Sequence, residues 1–222
     1  MTKIKRVQLE PPYLILIGNV SDPTYAKTGL GIVHWQPGRV AGQLRFAGCE
    51  IDLGVPDMTI PEAIEAGVKS LVIGVAPIGG VVPEDWWASI EEAARAGLDT
   101  VCGLHFSLAD FPDVVSAAKA SGARLIDVRK PPGNLPVGTG IKRSGKRVLM
   151  VGTDCAIGKK YTALALNQAM REAGMQSTFR ATGQTGIIIA GEGIPIDAVV
   201  ADFVSGAAEL LSPDNDGDHW DV

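Results

Sequence analysis

The stretch Arg147–Ala165, RVLMVGTDCAIGKKYTALA, decides how this 222-residue chain is interpreted. A short apolar run, typical of a buried strand, leads into a turn, and a helix-forming sequence follows at once. Gly152, Gly158 and Lys159 indicate a phosphate loop of the type G-x-x-x-x-G-K-[ST] between a strand and a helix. In such a loop, backbone N–H groups and the helix start surround a phosphate, and the lysine reaches its terminal oxygens. We therefore predict a P-loop domain in the second part of the chain.

The residue after Lys159 departs from the phosphate-loop pattern. A serine or threonine at this position ligates Mg²⁺ through its hydroxyl, but this chain has Lys160, whose ammonium repels a cation. Thr162 lies two residues further along the predicted helix and could replace that ligand only in a reshaped loop. Two adjacent lysines suit a diphosphate bound without metal, whereas cleavage of a nucleoside triphosphate uses Mg²⁺ to neutralise developing charge. The loop is thus predicted to anchor phosphates, with no metal ligand.

Strands and helices alternate regularly in the first part of the chain. The predicted strands are 13–17, 70–75, 98–103 and 124–128, and the predicted helices are 61–66, 83–96 and 111–121. Two short segments, 31–35 and 50–53, are candidate strands. Such alternation implies right-handed crossovers between parallel strands, so the predicted fold class is α/β, with a Rossmann-like parallel sheet.

Two adjacent prolines and several glycines interrupt the alternation after Arg129. Residues 130–136, KPPGNLP, are typical of a linker, so we predict a domain boundary here. The predicted organisation is a Rossmann-like domain at 1–135, a linker at 136–145 and a P-loop domain at 146–222. The P-loop domain holds predicted strands at 147–151 and 176–181, helices at 160–173 and 198–211, and the opening of a strand at 219–222. Because a P-loop domain normally needs roughly 150 residues, we expect this one to be incomplete.

Composition argues against several classes of function. The net charge is −5 and the pI is about 5.2, so the chain carries no global basic field for nucleic acid or anionic lipid. No stretch approaches the roughly 20 apolar residues that cross a bilayer. Cys49, Cys102 and Cys155 are scattered and form no CxxC pair, as is typical of reduced cytosolic thiols. We expect a cytoplasmic protein that acts on a small molecule, and the sequence is compatible with a homo-oligomer.

Polar residues after the second strand of the P-loop domain are candidates for substrate binding. Ligands of α/β sheets bind beyond the carboxyl ends of strands, where Arg180, Gln184 and Thr185 are expected. Arg180 suits a carboxylate or phosphate, although a surface arginine in a polar loop fits equally well. Asp202 and Glu209 share one face of a predicted helix, either as a general base with its support or as a solvated acidic face. The later acidic residues are predicted to form a solvated loop, and the histidines lack metal-binding spacing: Asp214, Asp216, Asp218, Asp221, His34, His105 and His219.

Two resemblances add to this interpretation. The loop Gly152–Lys159 resembles that of dethiobiotin synthetase, whose GTD-x(3)-GKT sequence binds ATP. Nearly the whole chain is similar to a two-domain family with a Rossmann-like N-terminal domain and a P-loop C-terminal domain, which includes D-glutamate N-acetyltransferases of the DgcN type. The segments that carry this resemblance are Ala26–Gly31 (AKTGLG), Gly152–Thr162, Ala181–Gly186 (ATGQTG) and Asp197–Phe203 (DAVVADF). Family members are longer, so we expect about the last third of their length to be absent here.

The family resemblance implies transfer of an acetyl group from acetyl-CoA to the amine of D-glutamate. Arg180, with Gln184 and Thr185, is then predicted to bind a substrate carboxylate, and Asp202 to act as general base with Asp154 as second candidate. Cys155 has no activating base in the sequence, so a role as acyl carrier is not supported. The residues predicted to hold the CoA phosphates are Gly152, Thr153, Asp154, Cys155, Ala156, Ile157, Gly158, Lys159, Lys160 and Tyr161.

Two other functions stay open at this point. A kinase or ligase resembling dethiobiotin synthetase would use ATP with Mg²⁺ at the same loop. A non-catalytic protein that binds a nucleotide or CoA would share the loop but transfer nothing. Dependence of binding on Mg²⁺ separates the first of these from an acetyltransferase, because only the ATP-dependent reaction requires the metal.

Overall fold

A computed structural model describes residues 4, 6–80, 82–154 and 157–222. The chain divides into two compact units. The first unit is Gln8–Arg129, and the second is Lys130–Val222 together with the residues up to Val7. In the described part of the chain, no helix has both the length and the apolar character needed to cross a membrane.

The first unit is built on a five-stranded parallel sheet. Its strands are β1 (Tyr13–Gly18), β2 (Val40–Arg45), β3 (Ser70–Ile73), β4 (Asp99–Cys102) and β5 (Leu125–Asp127), in the order β2-β1-β3-β4-β5. Tyr13 pairs with Ser70, and Leu16 pairs with Ile73 in the same register. The strand order reverses between β1 and β3, as in doubly wound folds with helices on both faces of the sheet. The predicted parallel α/β sheet is therefore present.

Four helices join these strands: α1 (Lys27–Trp35), α2 (Ile60–Glu65), α3 (Trp86–Arg95) and α4 (Pro112–Ser121). Sequence signals explain several of their ends. Thr59 caps α2, because its hydroxyl accepts from the Glu62 N–H while the Glu62 carboxylate accepts from the Thr59 N–H. Gly122 ends α4 in the left-handed region with φ of 82°.

The core of the first unit lies around β1. Every residue from Tyr13 to Ile17 is fully buried, since β1 has a strand on each side and helices pack on both faces. Close packing of α1 requires two glycines. A Cβ at Gly74 would lie 2.3 Å from Cγ2 of Ile15, and the Gly29 N–H donates to the Gly74 carbonyl over 2.7 Å. Helix α1 thus lies directly against the end of β3.

Both candidate strands of the first unit were wrong. Residues 31–35 belong to α1, although Ile32, Val33 and Trp35 favour a strand locally, because packing on the sheet overrides that propensity. Residues 50–53 form a loop held by the buried side chain of Gln43, which donates to Asp52 over 2.8 Å and accepts from the Leu53 N–H over 2.8 Å. The sequence also missed β2, whose central Gly42 weakens the strand signal.

The second unit contains a three-stranded parallel sheet of β6 (Lys146–Arg147), β7 (Ser177–Thr178) and β8 (Trp220–Asp221), in the order β6-β8-β7. Its helices are α5 (Lys159–Glu172), α6 (Gln184–Ala190) and α7 (Val204–Leu211). The strand predicted from residue 219 is confirmed, while the strands predicted at 147–151 and 176–181 are shorter than expected. Helix α6 was not predicted, and α7 begins later than residue 198 because two 3₁₀ turns precede it, Ile196–Ala198 and Ala201–Phe203.

Residues 136–145, the predicted linker, lie within the second unit. The Glu209 carboxylate on α7 accepts from the N–H groups of Thr139 and Gly140 over 2.9 and 2.8 Å. Gly206 allows close approach, since a Cβ there would lie 1.8 Å from the Pro136 carbonyl oxygen. These contacts attach the segment to α7. The predicted domain bounds themselves stay a prediction.

Residues 146–151, which begin with β6 and are called the β6 segment below, have two faces that differ in burial. Met150 packs against a cluster formed by Ala163, Met170 and Val222, so one face is covered by α5. Leu149 and Val151 point to the other face and are 79% and 78% exposed. An apolar side chain with that exposure contributes little to the stability of this chain.

The difference in burial between Leu16 in β1 and Leu149 in the β6 segment gives a first prediction. Leu16→Ala removes a fully buried side chain from β1 and is expected to lower the free energy of unfolding by about 2–5 kcal/mol. Leu149→Ala is the matched control, with an expected change within about 0.5 kcal/mol, because Leu149 is mostly exposed. Chemical denaturation of the two variants and the parent chain measures both values. Equal losses would contradict the burial described for β1.

Candidate phosphate-binding site

The segment from Gly152 to Tyr161 contains the turn before α5 and the first three residues of that helix. Cys155 and Ala156, both predicted to contact a cofactor, lie outside the described residues. Gly158 precedes α5 with φ of 101°, a conformation that strains any residue with a side chain. A Cβ at Gly152 would lie 2.2 Å from Cδ1 of Ile157, whose side chain folds over the loop. The backbone conformation therefore favours glycine at position 158, while a side chain at position 152 would displace the end of the Ile157 side chain.

The spacing of the loop corrects one detail of the sequence interpretation. Five residues, 153–157, separate Gly152 from Gly158, whereas the strict pattern G-x-x-x-x-G-K has four. The first fixed position of that pattern therefore falls on Thr153, and the assignment of Gly152 to it was wrong by one residue. The chain follows the longer GTD-x(3)-GK spacing, in which Gly158 and Lys159 keep their places.

The beginning of α5 carries an unusual charge arrangement. Helix α5 has 14 residues, its N-terminal Gly158 supplies no side-chain cap, and no acidic residue lies in its first turn. That turn instead contains Lys159 and Lys160. The N-terminus of a helix bears a partial positive charge, so two ammonium groups are unfavourable there unless an anion accompanies them. A local conflict of this kind is expected where the site serves a ligand.

The two lysine side chains follow different paths. The Lys159 ammonium donates to the backbone carbonyl of Asp154 within the loop. The Lys160 ammonium lies over the ring of Tyr161, with 4.2 Å between Nζ and the ring centroid. Burial raises the pKa of Tyr161 above its ordinary value, so the phenol is neutral at physiological pH. The loop thus holds one cation against its backbone and the other against an aromatic face.

Thr162, the only alternative hydroxyl considered for a metal, is engaged in the helix. Its N–H and its Oγ1 both donate to the Gly158 carbonyl, over 2.9 and 3.2 Å. The Thr162 hydroxyl is therefore bonded to the backbone of the first turn of α5. Among the described residues, no three His, Cys, Asp or Glu side chains are grouped so that they could hold a metal ion.

Arg180, the predicted carboxylate ligand, has two carboxylate partners within the chain. Its Nε donates to Asp221 over 2.8 Å, and its Nη1 lies 3.7 Å from Glu192. Asp221 is only 4% exposed and also accepts from Ser212 and Asn215. The prediction that Asp221 belongs to a solvated acidic loop was wrong, because β8 buries its side chain and Arg180 compensates the charge.

Asp202 and Glu209 lie on two adjoining elements, since the 3₁₀ turn Ala201–Phe203 leads directly into α7, and a shared face stays a prediction. Asp202 is exposed on the 3₁₀ turn Ala201–Phe203, and extended backbone at Val199 and Val200 separates this turn from the preceding one, Ile196–Ala198. Glu209 lies on α7, where the Thr139 and Gly140 N–H groups lower the pKa of its carboxyl. Glu209 therefore anchors a neighbouring segment, and a role of Asp202 as general base stays a prediction.

Gln184 and Thr185 begin α6 instead of lying in a loop. Thr185 is 6% exposed, so most of its surface packs inside the unit. Because β6, β8 and β7 run parallel, the segments that follow β6 and β7 leave the sheet at the same edge, with β8 between them. The sequence missed Glu192 and Asp221 as partners of Arg180, although the strand predicted at 219–222 was the signal that could have placed Asp221.

Comparison with known protein families gives two matches. A P-loop domain described as DUF1611_C, a domain of unknown function, matches residues 136–222. A Rossmann-like domain described as DUF1611_N, also of unknown function, matches residues 44–131. These matches confirm the predicted fold class, a Rossmann-like unit followed by a P-loop unit.

Two curated relatives are similar over most of this chain. A protein of Tritonibacter scottomollicae named D-glutamate N-acetyltransferase is 50% identical over 96% of the chain. A Pseudoalteromonas protein of the same name is 44% identical over 97% of the chain. The chain spans 64% and 65% of the lengths of these two relatives. The resemblance to this group of proteins is therefore confirmed.

A solved structure agrees with these matches. The crystal structure of a DUF1611 family protein from Anabaena variabilis superimposes with a TM-score of 0.80 and is 35% identical in sequence. It covers 95% of this chain, which in turn covers 64% of that protein. With both domains matched in order, the chain belongs to the DUF1611 family.

Proposed function

We propose that this chain is part of an N-acetyltransferase that moves an acetyl group from acetyl-CoA to the amine of D-glutamate. The names of the two curated relatives, at 50% and 44% identity, support the reaction. The loop Gly152–Tyr161 is proposed to bind the phosphates of CoA. The donor, the acceptor and the role of the loop are all parts of this proposal.

The observation that carries the proposal is the pair of ammonium groups at the start of α5. Lys159 and Lys160 stand where the helix dipole is already positive, and no acidic side chain in the first turn compensates them. A diphosphate supplies negative charge at this helix start and can accept from the loop N–H groups at the same time. CoA carries a diphosphate and a ribose phosphate, and these groups fit a cationic loop that lacks the magnesium-ligating hydroxyl.

Acetyl transfer sets three further requirements. The amine nitrogen must be deprotonated, attack the thioester carbonyl and displace the CoA sulfur, which leaves as a thiolate or thiol. We propose Asp202, an exposed carboxylate, as the base that takes the amine proton, with Asp154 as the second candidate. Arg180 is proposed to meet the substrate carboxylate with Gln184 and Thr185. It would do so by exchanging Glu192, which at 3.7 Å is the more distant of its two partners.

One observation favours a second function. The spacing GTD-x(3)-GK is that of dethiobiotin synthetase, which uses ATP. Lys160 opposes that function, because it replaces the hydroxyl that ligates Mg²⁺ and places a positive charge there instead. A protein that binds CoA or a nucleotide without catalysis shares every feature of the loop.

Calorimetry with acetyl-CoA, in the presence and absence of Mg²⁺, tests the proposal on this chain. We expect binding that does not require Mg²⁺. Binding of ATP that depends on Mg²⁺, followed by release of ADP with a small carboxylic acid, would establish the ligase instead. Tight binding of acetyl-CoA by a full-length relative, without turnover of any amine, would favour the non-catalytic protein.

Removal of the loop lysine gives a second prediction. Lys159→Ala is expected to weaken acetyl-CoA binding by about 1.5–3 kcal/mol, the usual loss for a hydrogen bond to a charged group, or about 10- to 150-fold. Lys119→Ala is the matched control, because Lys119 is an exposed lysine at the end of α4 in the first unit. Unchanged affinity of the Lys159 variant would remove the loop from the proposed site.

Charge reversal at the helix start gives a third prediction, in which stability and binding change in opposite directions. Lys160→Glu and Lys160→Ala both remove the ammonium and its contact with the Tyr161 ring, but only Lys160→Glu adds an anion at the positive end of α5, so its free energy of unfolding should exceed that of Lys160→Ala by about 0.3–1 kcal/mol at low salt. Lys160→Glu should also abolish acetyl-CoA binding. Lys119→Glu, in the last turn of α4, is the control and should destabilise the chain, because cations are favourable at that end. A Lys160→Glu variant that is less stable than Lys160→Ala contradicts the charge conflict described for α5.

A further inference from the structure

Lys160 occupies the position that a magnesium-ligating hydroxyl has in the phosphate-loop pattern, and its side chain has a partner of its own. The Lys160 ammonium lies 4.2 Å from the ring centroid of Tyr161. Both side chains are half-buried at the first turn of α5. A cation over an aromatic face is attracted by the ring quadrupole, and more strongly when water is partly excluded.

The ring matters because a lysine side chain is flexible. A free lysine samples many rotamers and could swing away from an incoming metal ion, which would then reach the phosphates. Tyr161 limits that motion by giving the ammonium a fixed neighbour. Burial keeps the phenol neutral, so the face presented to Lys160 does not change its charge at physiological pH.

The two nearest candidate side chains, Lys159 and Thr162, each have a backbone partner within the loop or helix start. Lys159 donates to the Asp154 carbonyl, on the loop side of the helix start. Thr162 donates its hydroxyl hydrogen to the Gly158 carbonyl, so its side chain is engaged within the helix. The residue at the sequence position of the metal-ligating hydroxyl is therefore Lys160, and its ammonium contacts the Tyr161 ring.

We propose that the Lys160–Tyr161 pair is a specificity filter that admits metal-free diphosphate diesters and rejects magnesium-chelated nucleotides, with Tyr161 as the positioning residue. This inference rests on the proposed phosphate-binding role of the loop. It names the class of ligand: a diphosphate esterified at both ends, as in CoA, lacks the terminal phosphate through which a triphosphate chelates Mg²⁺. Chelated ATP would bring two positive charges against the Lys160 ammonium, and that repulsion disfavours it.

Calorimetry with two probes, CoA and ATP, each with and without saturating Mg²⁺, tests the filter. For the parent chain, we expect Mg²⁺ to weaken ATP binding by about tenfold and to change CoA binding by less than about twofold. Lys160→Thr restores a hydroxyl at the metal position, so Mg²⁺ should then strengthen ATP binding. That reversal of sign is a result that general loss of affinity cannot produce.

Two variants isolate the positioning role of Tyr161. Tyr161→Phe keeps the aromatic face and should retain the discrimination between ATP and chelated ATP. Tyr161→Leu removes the face and should reduce that discrimination by about 2- to 10-fold, the range expected for a partly buried cation–π contact. The NMR signals of the Lys160 side-chain protons give a second readout without ligand, since the ring shifts them in the parent and in Tyr161→Phe alone. Circular dichroism of both variants is the control for folding.

The outcomes separate this inference from the proposed function. Failure of the parent chain to bind either probe overturns both. Binding of both probes, with Mg²⁺ strengthening ATP in the parent chain, overturns the filter and leaves the phosphate-binding loop intact. Equal discrimination by the Tyr161→Leu and Tyr161→Phe variants overturns the role of Tyr161.

Discussion

Repulsion between the positive end of α5 and two adjacent ammonium groups is the constraint on which the candidate site depends. Each described contact around the helix start reduces that repulsion. Lys159 turns back to the Asp154 carbonyl, and Lys160 lies over the Tyr161 ring. Gly158, at a φ of 101°, turns the chain from the loop into α5. Two cations at the positive end of a helix are an unfavourable local choice, and natural sequences keep such choices where a ligand binds.

Asp221 is a buried charge that supports the short three-stranded sheet of the second unit. Its buried carboxylate receives hydrogen bonds from Arg180 on the continuation of β7, and from Ser212 and Asn215 in the segment that precedes β8. A buried charge is tolerated only when it is paired and its oxygens are satisfied, which is the case here. Short strands of two residues are thus supported by side-chain hydrogen bonds as well as by backbone pairing. This network gives Arg180 a structural role besides any contact with substrate.

The first unit shows how far local patterns reach. Buried strands such as β1 and β3 were predicted because they are apolar along their whole length, as parallel strands covered on both faces must be. Helix α2 was predicted from Thr59 at its start and from Gly67 after its end. Residues 31–35 were predicted wrongly, because a run of β-branched and aromatic side chains favours a strand until packing decides otherwise. Strand β2 was missed for the opposite reason. Gly42 weakens the strand preference of the sequence around it, and pairing with β1 stabilises the strand nevertheless.

The amino-acid sequence alone determined the parallel α/β class, the position of the phosphate loop and the charge conflict at Lys159 and Lys160. These features depend on residues close together in the chain, where spacing and side-chain type are sufficient. Only the tertiary structure decided that Arg180 pairs with Asp221, that Glu209 holds the segment at Thr139, and that Asp202 lies outside α7. The partners in the first two cases are about 40 and 70 residues apart in sequence, so the fold and not the local pattern brings their charges together.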